Sequence, residues 1–395
     1  MTGKGLTMSI TPGLRRRHAL TLLALAIFAA ALALQGAPMS GQSGCAAPAF
    51  VRFTSFWDTT DFCMHTVPLE EIFSGGVPPD GIPPIDDPAF DSLEVAEQWL
   101  QPQSPVLSLE LDGIARAYPL AILTRHEIVN DVFDDQPVAV TFCPLCNSAV
   151  VFDRRVDGET LRFGVSGNLR HSDLVMWDDL TKSWWQQFTG EGIVGSYAGT
   201  QLELLPSLLV SFGEFAQQYP QGEVLSPGIR GYGSNPYVGY DSSPRPFLFF
   251  GEPDGRLFAT ERVLGAFLGG EAVAWPFPAL KEAPVINDRI GDFEVVALWQ
   301  PGQTSALDAS DINSSRDVGM AALYDRELEG QVLSFALDDE GRIVDEQTGT
   351  HWNVFGTALE GELAGSQLRQ HLAFPHFWFA WAAFRPETRV YGLSE

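Results

Sequence analysis

Positive charge is scarce in this chain. Lys and Arg together number 24 against 50 Asp and Glu over 395 residues, leaving a formal net charge of −26. So acidic a chain repels polyphosphate, which excludes nucleic acid as a partner and disfavours anionic lipid. Cations are its natural company, although the plainest use of the charge is solubility in a salty or crowded exterior. Cysteine is nearly absent as well, at four residues. Missing altogether are a G-x-S-x-G elbow, a P-loop and an H-E-x-x-H pair, so no common catalytic signature assigns a reaction. Long apolar runs are missing with one exception, Ala19–Leu34, whose sixteen residues are short for a membrane span.

That run follows Arg15, Arg16 and Arg17, and the two together make the charged and apolar regions of a secretory signal. The expectation is export to the periplasm or exterior, with residues 1–40 a signal peptide or N-terminal anchor and membrane contact only through them. Ala31-Leu32-Ala33 fits the small-x-small cleavage rule. Gly44-Cys45 offers a lipoprotein alternative with Cys45 acylated, but Gln42 stands where such a signal has Leu, and Cys45 lies far from the apolar run. Residues 41–105 contain SGGVPPDGIPPIDDPAF, whose prolines forbid regular helix and disfavour a central strand; they predict an ordered, irregular strap.

What the chain does have is apolar and aromatic residues, 45% and 11%, enough for a sizeable core in a chain longer than one average domain. It also has an internal repeat. Residues 106–149 align without a gap onto residues 263–306, at an offset of 157 and with 15 identities in 44 positions, where composition alone gives roughly three. FDRRVDGETLRF (152–163) then faces YDRELEGQVLSF (324–335), and Thr181, Trp185 and Phe188 face Thr348, Trp352 and Phe355. The predicted fold is α+β and β-rich: two tandem diverged copies of one strand-rich unit with short helices. The copies occupy 106–202 and 263–368, with a connecting segment at 203–262 and a C-terminal aromatic segment at 369–395. Asp112-Gly113 and Asp157-Gly158 mark hairpins, and PVAVTF and SAVVFDR read as strands. Helical spacing runs through LAILTRHEIVNDVF (120–133), VSFGEFAQQY (210–219) and HFWFAWAAF (376–384).

The chemistry concentrates at Cys143-Pro144-Leu145-Cys146, followed by Asn147. In a thioredoxin-like motif the cysteines open a helix, whereas here the chain runs on into a strand. A strand, C-P-x-C and a residue that tolerates left-handed backbone suit a metal knuckle, whose tight turn aims both thiolates at one ion. Zn²⁺ or Cu⁺ would need further ligands from elsewhere. At the equivalent places of the second copy stand Gln300 and Gln303, with Pro301 kept, so the turn does not need thiols to form. His126 faces Ala283, while its neighbours Asn130-Asp131 recur as Asn287-Asp288. His376 lies among aromatics and requires a partner. The leading expectation is a metal site of Cys143 and Cys146 completed by His126 and His376, with no catalytic residue assigned.

Other readings stay open at this point. Two close cysteines in an exported protein can form a disulfide. A thiol–disulfide oxidoreductase would need an exposed Cys143 with a depressed pKa. A non-catalytic binding module would seat a small-molecule or protein partner between the copies near Tyr237 and Tyr240, with the cysteines incidental. His126 also fits a helix-surface or capped core histidine and Met176 a core position; Cys63, beside Met64 and His65, can pair with Cys45. Asp173, Asp178 and Asp179 near Trp177, Trp184 and Trp185 resemble a glycosidase carboxylate pair, but the repeat explains those aromatics better as core.

DGIPPIDDPAF, HEIVND, VTFCPLCNSAVVFDR, SGNLRHSDLVMWD, SWWQQFTGEGIVG, NPYVGYD, DVGMAALYDR and HFWFAWAAF, in that order, resemble the DUF3179 family of bacterial and archaeal proteins. The resemblance covers the chain from about residue 65 to the end. It implies one coherent unit and, the family being of unknown function, no established activity. Its pattern carries over onto Cys143, Pro144, Cys146, Asn147, His126 and His376. The family more often has Asn at the position of His171, so that residue is not counted as a ligand, and Cys45 and Cys63 stand outside the pattern.

Overall fold

Asp112 (φ 51°) and Gly113 (φ 85°) take the left-handed values of a tight hairpin turn. They join β1 (Pro105–Leu111) to β2 (Ile114–Pro119) in antiparallel register. A short helix follows, α1 (Leu120–His126). Apolar spacing predicts helix as far as residue 133, but it stops here because Glu127 turns left-handed and donates its N–H to the Leu123 carbonyl. The β-branched residues beyond then favour extended backbone and form β3 (Ile128–Phe133). β3 pairs with β4 (Gln136–Cys143), and β4 with β5 (Ser148–Asp153). Next come β6 (Phe163–Arg170), β7 (Asp173–Asp178) and β8 (Trp184–Gln186), an antiparallel meander. The β6–β7 connection passes through two left-handed residues, His171 and Ser172. Helix α2 (Phe212–Gln218) has Ser211 as its N-cap, the side chain accepting from the Glu214 N–H.

The later chain supplies β9 (Arg262–Leu268), β10 (Glu271–Pro276), α3 (Phe277–Glu282), β11 (Val285–Ile290), β12 (Phe293–Gln300) and β13 (Met320–Asp325). β14 (Ala373–Phe377) pairs antiparallel with β9, placing His376 opposite Val263. The helix expected over residues 376–384 begins only at Trp378, as α4 (Trp378–Phe384), because His376 and Phe377 belong to that strand.

The structure is a computed structural model that describes residues 1–2, 45, 47–228 and 232–393. The secretory-signal reading of residues 1–40 lies outside the described residues apart from Met1 and Thr2. From Cys45 onward the chain forms one compact unit, strand-rich and divided among several sheets. Its largest buried cluster draws on both parts of the sequence, with Val140, Cys143, Cys146, Val151, Phe377 and Trp378 among its members. The Pro-rich strap is ordered and pinned: Asp80 and Asp86 pair with Arg162 at 2.7 and 2.9 Å, and Ile85 exchanges backbone hydrogen bonds with Ile128 and Asn130. Cys45 and Cys63 form a disulfide. Among the described residues no helix is long and apolar enough to cross a membrane.

Candidate metal centre

β4 ends at Cys143 and the chain reverses over Pro144–Asn147. The Asn147 N–H donates to the Pro144 carbonyl at 3.3 Å, and Asn147 itself is left-handed at φ 49°. Asn is among the few non-glycine residues that take this conformation readily, so the turn can return the chain to β5 opposite Cys143. Both cysteines are free and buried, 2% and 0% exposed.

A third group reaches them from β7. The hairpin through His171 and Ser172 places Asp173 at the start of that strand, and the Cys143 thiol points to the Ser172 carbonyl at 3.8 Å. The sulfurs of Cys143 and Cys146 and a carboxylate oxygen of Asp173 all lie within 4.8 Å of one another. The carboxylate is held from behind: Gln186 Nε2 and the Phe188 N–H donate to Oδ2 at 2.6 and 3.0 Å. Its other oxygen, Oδ1, is buried with no nitrogen or hydroxyl donor among the described residues, and the Cys143 and Cys146 thiols are the carboxylate's remaining hydrogen-bond partners.

The electrostatics are one-sided. Burial raises the Cys143 and Cys146 thiols above their ordinary pKa, and the Asp173 carboxylate adds to the rise in both. Burial lifts Asp173 to about 6 against the hydrogen bonds that favour its ionised form. Glu127, the left-handed residue after α1, is buried too, and burial followed by the Asp173 charge lifts it to about 8. Among the described residues no Lys or Arg forms an ion pair with Asp173 or Glu127. Four acidic groups thus share a water-poor site with no base to neutralise them, an arrangement that requires either bound protons or a bound cation.

The family model described as "Protein of unknown function (DUF3179)" matches residues 79–388. The chain belongs to the DUF3179 family. No curated protein and no solved structure matches it. In this DUF3179 chain the match takes in Cys143, Cys146, Asp173 and Glu127, whereas the Cys45–Cys63 disulfide precedes it.

The two histidines lie outside the group of three. His126 closes α1, its Nδ1 is 2.7 Å from the Pro83 carbonyl, and its ring meets Tyr232 edge-on. His376 sits between Phe188 and Trp381, with ring centroids 4.3 and 5.6 Å away, and its Nδ1 is buried with no hydrogen-bond partner among the described residues. Burial, helped by Arg385, lowers its pKa to about 3. The strand that carries it touches the site through its backbone, the Phe377 N–H donating to the Cys146 carbonyl at 2.8 Å.

The remaining candidates are placed as follows. His171 approaches Glu71 at 3.4 Å, and Met176 is fully buried core. Asp178 is buried and committed to Thr181 and Trp185, while Asp179 accepts from the Arg162 N–H, so neither is a free carboxylate beside sugar-stacking rings. Tyr240 donates its hydroxyl to the Leu145 carbonyl, and burial raises the pKa of both Tyr237 and Tyr240. Tyr240 thereby covers the cysteine turn. The thiol–disulfide reading needs an exposed, acidified Cys143, and burial gives the reverse of both.

Asp173 and Glu127 are the two groups of this centre that the sequence motifs do not single out. The available signal was an acidic residue opening an otherwise apolar strand, DLVMWD, buried along its length.

Proposed function

We propose that this chain is an exported metal-binding protein in which Cys143, Cys146 and Asp173 hold one Zn²⁺. The observation that carries the reading is the convergence of two buried thiols and a carboxylate fixed from behind, their three ligand atoms all within 4.8 Å of one another. Ligand atoms at usual Zn–S and Zn–O distances around a tetrahedral ion stand roughly 3.3–3.8 Å apart. The existing spacing of no more than 4.8 Å needs only a small contraction to reach that. A carboxylate in the set favours Zn²⁺ over Cu⁺, which prefers soft sulfur and nitrogen donors.

Three ligands leave a fourth position. His126 already has a carbonyl at Nδ1, whereas the Nδ1 of His376 is without a hydrogen-bond partner, so His376 is the better completing ligand of the two. A structural or carrier site would be closed in this way, and an open position beside Glu127 would suit chemistry at the ion.

Export is supported by the Cys45–Cys63 disulfide, which belongs in an oxidising compartment and leaves the Cys45 sulfur no capacity for acylation. Duplication is also part of the reading. The order strand, strand, helix, strand, strand, strand occurs in β1 to β5 with α1 and again in β9 to β13 with α3, where a 3₁₀ turn at Ile312–Ser314 is inserted before the last strand. The Asn130 side chain bonds the Phe163 backbone through both its groups, as Asn287 does with Phe335.

The test is elemental analysis of the mature protein, expressed from residue 40 onward, beside Cys143→Ser/Cys146→Ser and Asp173→Asn variants. About one Zn per chain, lost in the double cysteine variant, is expected for a site of this kind. A metal-free protein whose two thiols react freely once it is unfolded would refute the reading.

A further inference from the structure

An open cavity of about 880 Å³ lies beside α3 in the later part of the chain, remote in sequence from the cysteine turn. Its walls include Phe258, Phe277 and Trp299 and three cationic residues, Arg262, Lys281 and Arg316. In a chain of net charge −26 with only three lysines, this local concentration of positive groups stands out.

The acidic wall residues are largely committed. Asp241 is fully buried and pairs with both Arg262 and Arg316 at 3.0 Å, and Arg316 also reaches Asp308 at 3.5 Å. Asp317 accepts from the Gly302 and Gly319 N–H groups at 2.9 and 2.8 Å. Burial raises the pKa of the third, Glu261. Two donors of the wall, Lys281 and Trp299, have capacity to spare. Lys281 is exposed and forms no ion pair among the described residues. Trp299 is 8% exposed, and its Nε1 has no hydrogen-bond partner among them. Its ring is seated against Gly319, where a Cβ would come within 2.3 Å of it. An aromatic wall with unfilled donors is complementary to a ligand that has an apolar body and an anionic acceptor.

The earlier half provides an internal contrast. At an offset of 157, Pro105, Ala121 and Thr124 correspond to Arg262, Pro278 and Lys281. Those three line a hollow of only about 110 Å³, walled by Tyr232, Gly233, Asn235 and their neighbours. The large hollow has three cationic wall residues, whereas the small one has a single cation, Arg125, which donates to the Ser234 carbonyl.

We propose that this cavity binds a small organic acid, its anionic group between Lys281 and Arg316 and its apolar body against Phe258, Phe277 and Trp299. The full mature chain is titrated calorimetrically with 1-naphthoate, octanoate and 1-naphthylmethylammonium, beside Lys281→Glu and Lys281→Gln variants whose folding is checked by circular dichroism. The expected result is binding of at least one carboxylate but not of the ammonium probe. Charge reversal at Lys281 should weaken that binding roughly tenfold or more, through loss of a charge-assisted contact. No carboxylate binding at millimolar concentration, equal binding of the ammonium probe, or unchanged affinity in both variants would overturn the assignment.

Discussion

Gln186 donates from Nε2 to Asp173 Oδ2 at 2.6 Å, and both side chains are buried. The bond fixes the carboxylate and leaves Oδ1 with no nitrogen or hydroxyl donor among the described residues. Gln186→Leu removes the donor while retaining bulk, and loss of such an outer partner lowers metal affinity by about 10- to 100-fold. Competition against a chromophoric chelator measures it. Affinity equal to wild type would remove Asp173 from the ligand set.

Asp173→Asn separates a binding role from a packing role, because the two predict opposite signs. Burial has raised the folded-state pKa of Asp173 to about 6, so its ionised form costs stability in the metal-free protein. That cost is absent below the ordinary carboxyl pKa and grows as pH rises toward 6. At neutral pH, Asn at this position should raise the melting temperature of the metal-free chain while weakening Zn²⁺ binding. A fall in both quantities would mark Asp173 as purely structural.

The sequence made much of the site's scaffold legible and one of its essential parts illegible. β4, the cysteine turn with left-handed Asn147, and β5 follow from short-range signals, as do the Asp112-Gly113 hairpin and the Ser211-capped helix. The end of α1 was not readable in the same way. Residues 120–133 keep helical spacing throughout, and only the left-handed Glu127 and the pairing of β3 with β4 decide otherwise. Asp173 was hidden for a different reason. Its approach to the thiols depends on a hairpin turned by His171 and Ser172, neither a glycine, so no local signal marked the reversal.

His376 predicts acid sensitivity. Its folded pKa of about 3 lies below the ordinary 6.5, so the unfolded chain takes up the proton first as pH falls. Stability from this group is intact above about 6.5 and is lost progressively down to about 3, amounting to about 3 kcal/mol at pH 4. In the metal-free chain, His376→Phe, which suits its aromatic neighbours, should flatten the acid limb of melting temperature against pH relative to metal-free wild type. Parallel limbs would show that His376 is not held neutral in the folded protein.

The Cys45–Cys63 disulfide spans 18 residues of sequence, and closing a loop of that size stabilises by about 3 kcal/mol in the chain-entropy view. Reductant should lower the melting temperature of the mature wild-type chain and leave that of Cys45→Ala/Cys63→Ala unchanged. Unfolded without reductant and stripped of metal, the wild type should expose two reactive thiols, those of Cys143 and Cys146. Four thiols, or an acyl chain on Cys45, would contradict this pairing and the support it gives to export.

Asp178 and Asp345 allow the two parts of the chain to be tested against each other. Both are fully buried. Asp178 accepts from the Thr181 N–H at 2.6 Å and from Trp185 Nε1 at 2.9 Å, and Asp345 from the Thr348 N–H at 2.7 Å and Trp352 Nε1 at 3.0 Å. Alanine at either position strands the same pair of donors, which costs on the order of 2–4 kcal/mol. Their consequences for metal should differ, because only Asp178 ends the strand that Asp173 begins. Asp178→Ala should therefore reduce both melting temperature and Zn²⁺ affinity, and Asp345→Ala the melting temperature alone. Equal losses of affinity would mean that the metal centre senses the stability of the whole unit and not the placement of its own strand.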